Sequence, residues 1–248
     1  MKPLIILTQT LAIITVIIAV LIGSLAFYKP GKSTHPPERY YKRVKHGIKL
    51  SAKAVWGVDL SHHQGVVNWK EINSSKPKFA FLKVTEGISH TDRKYKKYIK
   101  EIRSRNILVG SYHFFSHRTS GKKQAKHFIR HIDFKKGDLP PVIDAENSRK
   151  MPAKSKVSKE LLAFIETVEN ELGVKPIIYC TDAYYNKYLK GNLTGSYVLW
   201  ICDFRNEPKS DYSFWQKTDQ LDLPGFMGLI DYNVFNGSYD ELVALTIK

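Results

Sequence analysis

The strongest constraint on the fold is an alternation of strand-like and helix-like segments that begins near residue 54. Helical patterns lie between most of the early strands, and the clearest, SKVSKELLAFIETVENELG, is expected to end at Gly173. No helix separates the last two strand-like segments. The eight segments with the length and composition of β-strands are AVWGVDLS, KFAFLKVTEG, ILVGSYHFFS, LPPVIDAEN, KPIIYCT, YVLWICDF, SFWQKTD and GLIDYNVFNG.

Strands that alternate with helices favour a mainly parallel sheet, because the crossover helices cover its faces. The pattern predicts an α/β fold, an irregular (β/α) TIM-like barrel whose last strands lack intervening helices. The folded domain is expected to span residues 54–248.

Acidic residues recur at the ends of these strands, although they are the minority charge, with 23 against 39 basic residues. In a (β/α) barrel the C-terminal strand ends form one mouth, which is the active-site face. We therefore expect five strands to direct carboxyl groups into a common mouth. These residues are Asp59, Glu86, Asp144 with Glu146, Asp203 and Asp231.

The segment LPPVIDAEN places Asp144 and Glu146 two positions apart, so both side chains point to one face of the strand and Ala145 points to the other. Two ionised carboxylates at this spacing repel each other. An acid/base site uses such repulsion to separate two pKa values. On spacing alone, a solvated strand end with two incidental acids is the alternative.

Aromatic residues occupy similar positions in the strands, namely Tyr112, Tyr179, Trp200 and Trp215. Each taken alone is more often a core residue than a ligand contact. Together with the acids they fit a carbohydrate site, because sugar C–H faces stack on rings while carboxylates bind hydroxyl groups. Glycosidic cleavage usually needs one protonated and one ionised carboxyl group, and the DAE segment supplies two.

The segments GVDLSHHQGVVNW, FAFLKVTEG, GSYHFF, PPVIDAE, KPIIYC, LWI, FWQ and IDYNVFNG, in this order, resemble glycoside hydrolase family 25, the muramidases or Chalaropsis-type lysozymes. The resemblance extends from about Val55 to the C-terminus. It implies cleavage of the β-1,4 bond between N-acetylmuramic acid and N-acetylglucosamine in peptidoglycan. Two positions, Ala145 and Cys202, depart from the usual residues of the family.

The resemblance also implies residue roles. Glu146 is expected to be the general acid, and Asp144 to orient the N-acetyl group of the substrate as an internal nucleophile, with net retention. Asp59 is expected to tune the catalytic pair and Asp231 to position the substrate. The residues that match cleft positions are Tyr112, Tyr179, Trp200 and Gln216. No metal or organic cofactor is implied.

Two alternatives to a muramidase remain open on sequence grounds. One is a catalytically silent module that binds the cell wall, and the intact set of acids argues against it. The other is a related glycosidase that acts on chitin-like polymers, although LPPVIDAE lacks the longer acid series typical of chitinases.

The N-terminal residues predict a membrane or export function. Residues 3–28 contain no charged residue, and this uncharged run is longer than the roughly 20 residues that cross a bilayer. We interpret 1–28 as a transmembrane anchor or, alternatively, a cleaved signal peptide, and 29–53 as a basic juxtamembrane linker. We expect the catalytic domain to lie on the envelope side of the membrane or to be secreted, although the basic linker taken alone favours the cytoplasmic side by the positive-inside rule.

The net charge of +16 indicates anionic partners, and the linker alone contributes +7. Polymers of the envelope fit this charge, whereas no zinc-finger spacing, RNP-like run or phosphate loop supports nucleic acid. The histidines at 62, 63, 113 and 117 lack ligand spacing, so packing or hydrogen bonding is expected rather than metal binding. Cys180 and Cys202 are either free thiols or, if exported and adjacent, a disulfide. We expect a monomer.

Overall fold

A computed structural model describes residues 54–248, in which eight strands close into a barrel. The ring runs in the order β1, β9, β8, β7, β6, β5, β4, β2, and β2 pairs again with β1. A ninth strand, the two-residue β3, adds to the outside of β2. The strands are β1 Val55–Leu60, β2 Phe79–Glu86, β3 His90–Thr91, β4 Leu108–Phe114, β5 Val142–Asp144, β6 Ile177–Cys180, β7 Leu199–Cys202, β8 Phe214–Leu221 and β9 Ile230–Phe235.

The barrel is mixed rather than wholly parallel. Each neighbouring pair from β1 through β2, β4, β5, β6 and β7 to β8 is parallel, whereas β9 is antiparallel to both β8 and β1. The prediction of an α/β barrel with a degenerate end is confirmed. The pattern does not indicate the direction of the last strand, and β9 runs antiparallel because the loop 222–229 that joins β8 to β9 is too short for the crossover that a parallel connection needs.

Helices lie between most of the successive strands, as the sequence pattern predicts, and the last helix follows β9. The helix Lys154–Leu172 is capped by Gly173, which adopts a left-handed conformation with φ of 71° and donates its N–H to the carbonyl of Glu169. The short helix Asp182–Tyr184 continues as a π-helical turn, Tyr185–Leu189. The helices are α1 Trp69–Ser75, α2 Tyr95–Arg103, α3 Gly121–His131, α4 Lys154–Leu172, α5 Asp182–Tyr184 and α6 Tyr239–Ala244.

Two apolar clusters fill the domain, one on each face of the barrel wall. The outer cluster packs the helices against alternate strand residues, among them Ile143 and Ala145, so Ala145 points away from the mouth as predicted. The inner cluster is largely aromatic. Its rings include Phe81 and Trp200, stacked at 4.4 Å between centroids, and Phe79 and Phe214, in edge contact at 5.2 Å.

The inner aromatic layer requires glycine on two strands. A Cβ atom at Gly110 in β4 would lie 2.5 Å from Cδ1 of Phe81, and one at Gly57 in β1 would overlap Phe79. Large rings therefore occupy the space that side chains on the neighbouring strands would otherwise fill. The rings form a solid floor below the mouth.

The two cysteines lie on neighbouring strands but on opposite faces. Cys180 belongs to the outer cluster, whereas Cys202 packs against the inner one. Both are free thiols. The disulfide alternative is therefore wrong, because the alternation of side chains along β6 and β7 separates the two sulfur atoms across the wall.

None of the helices within residues 54–248 combines the length and apolar composition that a bilayer span needs. The predicted anchor or signal peptide at 1–28 and the basic linker at 29–53 lie outside the described residues.

We predict that Gly110→Ala lowers the free energy of unfolding by roughly 1 to 3 kcal/mol, because the added methyl group forces the Phe81 ring off its contact with Trp200. Urea denaturation measures the change. Gly228→Ala is the matched control, since no atom lies within 4 Å of its added methyl group. Equal stability of the two variants would contradict the packing argument.

Candidate active site

Four of the predicted acids meet at one mouth of the barrel. Asp59 lies near the end of β1, Asp144 ends β5, and Glu146 follows two residues later. Asp231 reaches the same mouth differently from the prediction, since it lies at the start of β9 and not at a strand's C-terminal end. Because β9 is antiparallel, its beginning is level with the end of β1, and Asp231 pairs directly with Asp59.

The other two predicted acids make local contacts. Glu86 accepts a hydrogen bond of 2.7 Å from Nζ of Lys83. Asp203 Oδ1 accepts the backbone N–H groups of Arg205 and Asn206 at 2.8 and 3.0 Å, which closes the turn after β7. The mouth therefore contains four of the six predicted acids as an interacting group.

Asp59 is held by two side-chain amides, each supported by an aromatic residue of the floor. Its Oδ2 accepts Nε2 of Gln216 at 2.9 Å and Nδ2 of Asn233 at 2.8 Å. The hydroxyl of Tyr179 donates to Oε1 of Gln216 at 2.7 Å, and Nε1 of Trp200 donates to Oδ1 of Asn233 at 2.8 Å. These two relays fix both amides with their N–H groups toward Asp59.

The predicted cleft aromatics are mostly buried beneath the mouth. Trp200 is only 2% exposed and Tyr179 6%, so both act on the site through the amides that they orient. Tyr112 is also buried, and burial together with the charges of Asp59 and Asp144 raises the pKa of its phenol well above the usual range. The Tyr112 phenol is therefore a neutral hydrogen-bond donor at every physiological pH. Trp215 is not in the mouth, since it lies on the face of β8 opposite to Gln216.

Asp144 is a buried carboxyl group with an unused acceptor. Its Oδ1 has no hydrogen-bond partner among the described residues. Burial, followed by the charge of Glu146, raises the pKa of Asp144 well above the usual range, while Lys83 opposes the rise. Such an oxygen faces a free-energy cost that a hydrogen-bond donor from a ligand would remove.

Glu146 lies at the rim and has exposed surface, but the protein around its carboxyl group removes enough water to raise its pKa. The charge of Asp59 adds to this rise, and that of Lys83 opposes it. Because burial raises both pKa values and the charge of Glu146 raises that of Asp144 further, the two groups together retain a proton to a higher pH than an isolated acid does. The pair can therefore both donate and accept a proton.

Asp59 and Asp231 form a second coupled pair. Burial raises the pKa of Asp231 well above the usual range, and its charge and hydrogen-bond interactions with Asp59 raise it further. Burial also raises the pKa of Asp59, but the bonds from Asn233 and Gln216 favour its ionised form. The proton of this pair consequently resides on Asp231.

Sequence reasoning missed two residues of the site. Lys83 is buried and is the cation that stabilises both Asp144 and Glu146, and Asn233 holds Asp59. His117, for which packing or hydrogen bonding is expected, lies next to the site, since its Nε2 donates to the backbone carbonyl of Glu146 at 2.7 Å. The available signal was the position of Lys83 and Asn233, which share the inward face of their strands with aromatic residues.

The remaining histidines support the expectation of packing or hydrogen bonding. His113 is fully buried between Thr85 and Gln124, and burial lowers its pKa to about 3. His62 bonds to Asp92 at 2.8 Å. Within the described part of the chain, no three histidine, cysteine or acidic side chains are arranged to hold a metal ion.

Comparison with known proteins relates the chain to one family of hydrolases. Residues 58–226 match the glycosyl hydrolases family 25. The uncharacterized protein YegX of Escherichia coli strain K12 is 34% identical over 82% of this chain and 78% of its own length. Lysozyme M1 of Streptomyces globisporus is 26% identical over 87% and 84%. The structure of a family 25 glycosyl hydrolase from Bacillus anthracis superposes with a TM-score of 0.75 at 33% identity, covering 82% of this chain and 99% of that one.

We predict that Asp231→Asn raises the melting temperature at neutral pH. A carboxyl group whose folded pKa is raised adds stability below its unfolded pKa, about 4, and this stability is lost as the pH rises through the folded pKa. The amide removes that loss and still donates to Asp59. The difference in melting temperature between the variant and the unmodified protein should shrink as the pH falls toward 4. Thermal melts at a series of pH values measure this difference. The exposed Asp222→Asn is the control, and a pH-independent difference would contradict the assignment.

Proposed function

The chain belongs to glycosyl hydrolase family 25 and is a peptidoglycan hydrolase of the muramidase type, and we propose that Glu146 and Asp144 carry out its glycosidic cleavage. One observation carries the proposal. The buried, unpartnered Oδ1 of Asp144 lies in the same mouth as Glu146, whose pKa is raised by desolvation. The unpartnered oxygen of Asp144 can accept a hydrogen bond from the substrate, and Glu146 in the same mouth has a raised pKa that favours its protonated form.

The N-acetyl group of the substrate supplies the missing donor. Its amide N–H would bond to Oδ1 of Asp144, and a hydrogen bond to a carboxylate favours the ionised form. The pKa of Asp144 would fall on binding, and the proton shared by the coupled pair would move to Glu146. Substrate binding thus produces the ionised Asp144 and protonated Glu146 that cleavage needs, although in the empty site burial raises the pKa of both.

Cleavage then proceeds in two steps. The acetamido oxygen forms a bond to the anomeric carbon as the bond to the leaving oxygen breaks, and Glu146 donates its proton to that oxygen. Ionised Asp144 stabilises the positive charge that develops on the cyclised acetamido group. In the second step Glu146 removes a proton from water as the water oxygen forms a bond to the anomeric carbon and the bond from that carbon to the acetamido oxygen breaks. This step regenerates the N-acetyl group and restores the original anomeric configuration.

The other residues of the mouth set the charge and shape of the site. Ionised Asp59 faces the developing positive charge, and the neutral Asp231 and Tyr112 donate hydrogen bonds to sugar hydroxyl groups. Lys83 limits the rise in pKa of the catalytic pair. Gln216 contributes by fixing Asp59 directly, Tyr179 through Gln216, and Trp200 through Asn233.

We predict that Glu146→Gln lowers kcat on purified peptidoglycan at least a hundredfold, because the amide cannot donate the proton. The melting temperature should not fall, since the residue is at the rim and the amide keeps the shape of the side chain while removing a carboxyl group whose pKa burial raises. Release of reducing ends measures the activity. Glu171→Gln, which changes an exposed acid near the end of α4, is the matched control and should remain fully active. A fully active Glu146→Gln enzyme would contradict the role of Glu146.

Product analysis distinguishes this function from the two alternatives. Mass spectrometry of the digest should find N-acetylmuramic acid at the new reducing ends. Turnover of chitooligosaccharides at a higher kcat/KM than peptidoglycan would favour the chitin-like substrate. Sedimentation with cell-wall sacculi without release of reducing sugar would favour a binding module.

An envelope location follows from the substrate, and we predict that alkaline phosphatase fused after residue 53 is active on the envelope side of the membrane. The uncharged segment 3–28 supports an anchor or a cleaved signal peptide. N-terminal sequencing of the mature protein separates the two. The location would be contradicted by an inactive phosphatase fusion together with an active fusion of a reporter that works only in the cytoplasm, joined after the same residue.

A further inference from the structure

The residues that follow the catalytic acid form an unusually basic surface. Residues 147–159 contain five cationic side chains and no acid, and this stretch is called the basic segment below. It comprises the loop after β5 and the first turns of α4. Its cations are Arg149, Lys150, Lys154, Lys156 and Lys159.

All five cations are exposed, and none makes an ion pair or a contact over an aromatic ring within residues 54–248. The nearest acid in sequence, Glu160, is engaged elsewhere, since its Oε2 accepts the backbone N–H of Gly121 at 2.7 Å. The position is also unfavourable for lysine, because the start of a helix carries positive partial charge. The segment thus concentrates uncompensated positive charge that a partner is needed to neutralise.

The basic segment is continuous with the active-site mouth. Arg149 is three residues from Glu146, so their α carbons are at most about 11 Å apart. Beyond the loop, Lys154 and Lys159 border a solvent-open groove of about 880 Å³ along α4, whose lining includes one acid, Glu166. A group attached to a sugar in the mouth can therefore reach the nearest cations of the segment, those of Arg149 and Lys150.

We infer that the basic segment binds the free carboxylates of the peptide stem on the N-acetylmuramic acid residue being cleaved. This inference rests on the proposed function, because the glycan strand in the mouth presents that peptide. Only the muramic acid carries a lactyl-linked peptide, and its free carboxylates complement the five cations. The segment would make the enzyme prefer strands that keep their stems.

The test compares peptidoglycan strands with intact stems and the same strands after amidase removal of the stems. The variant is Arg149→Gln/Lys150→Gln/Lys154→Gln. On stem-bearing strands its KM should rise about fivefold at low salt with kcat unchanged, and on stripped strands neither constant should change. Added salt should abolish the difference between the unmodified enzyme and the variant.

The matched control is Lys100→Gln/Lys126→Gln/Lys136→Gln, which removes the same charge from exposed positions on other segments and should leave KM unchanged on both strands. An equal rise on stripped strands, or a rise for the control as large as that for the variant, would overturn the inference. The inference would also be overturned if the variant kept its KM on both kinds of strand and bound more weakly only to walls that carry phosphodiester polymers. If the unmodified enzyme cleaves both kinds of strand with equal KM, the inference alone fails. If it cleaves neither, the proposed function fails.

Discussion

Repulsion among four carboxyl groups in one partly dehydrated mouth is the interaction on which the rest of this structure depends. Left alone, burial would protonate all of them and remove the charge differences that acid/base chemistry needs. The protein separates their pKa values by unequal support. Asp59 receives two amide hydrogen bonds, Asp231 receives none from an amide and keeps a proton, and Lys83 offsets part of the rise at Asp144 and Glu146.

The hydrogen bonds that hold Asp59 depend on residues deeper in the barrel. The amides hold Asp59 only because Tyr179 and Trp200 determine which way Gln216 and Asn233 face. Trp200 in turn is fixed by stacking on Phe81, whose ring takes up the space above Gly110. A chain of packing and hydrogen bonds thus connects a glycine in the wall to the charge of the buried carboxylate Asp59.

The sequence predicted the features that depend on local periodicity. Alternation along LPPVIDAEN was sufficient to place Asp144 and Glu146 on one face with Ala145 on the other, and the strand pattern located the eight barrel strands. The direction of β9 was missed, although the absence of a helix before it favours a hairpin. Partners of Asp59 were harder to predict, because the bond to Asn233 joins residues 174 positions apart and no local pattern specifies that pairing. Lys83 and His117 act through tertiary contacts that periodicity does not contain.

The late position of β9 in the chain has a consequence for how the protein folds. This strand closes the ring between β1 and β8, and its pairing with β1 joins Val55 to Phe235. Contacts this distant in sequence form slowly, since a long loop must be ordered first. During synthesis, Asp231 and Asn233 emerge after all the other residues of the mouth. An incomplete nascent chain therefore lacks Asp231 and Asn233, which tune Asp59. A competent site exists only once the barrel has closed.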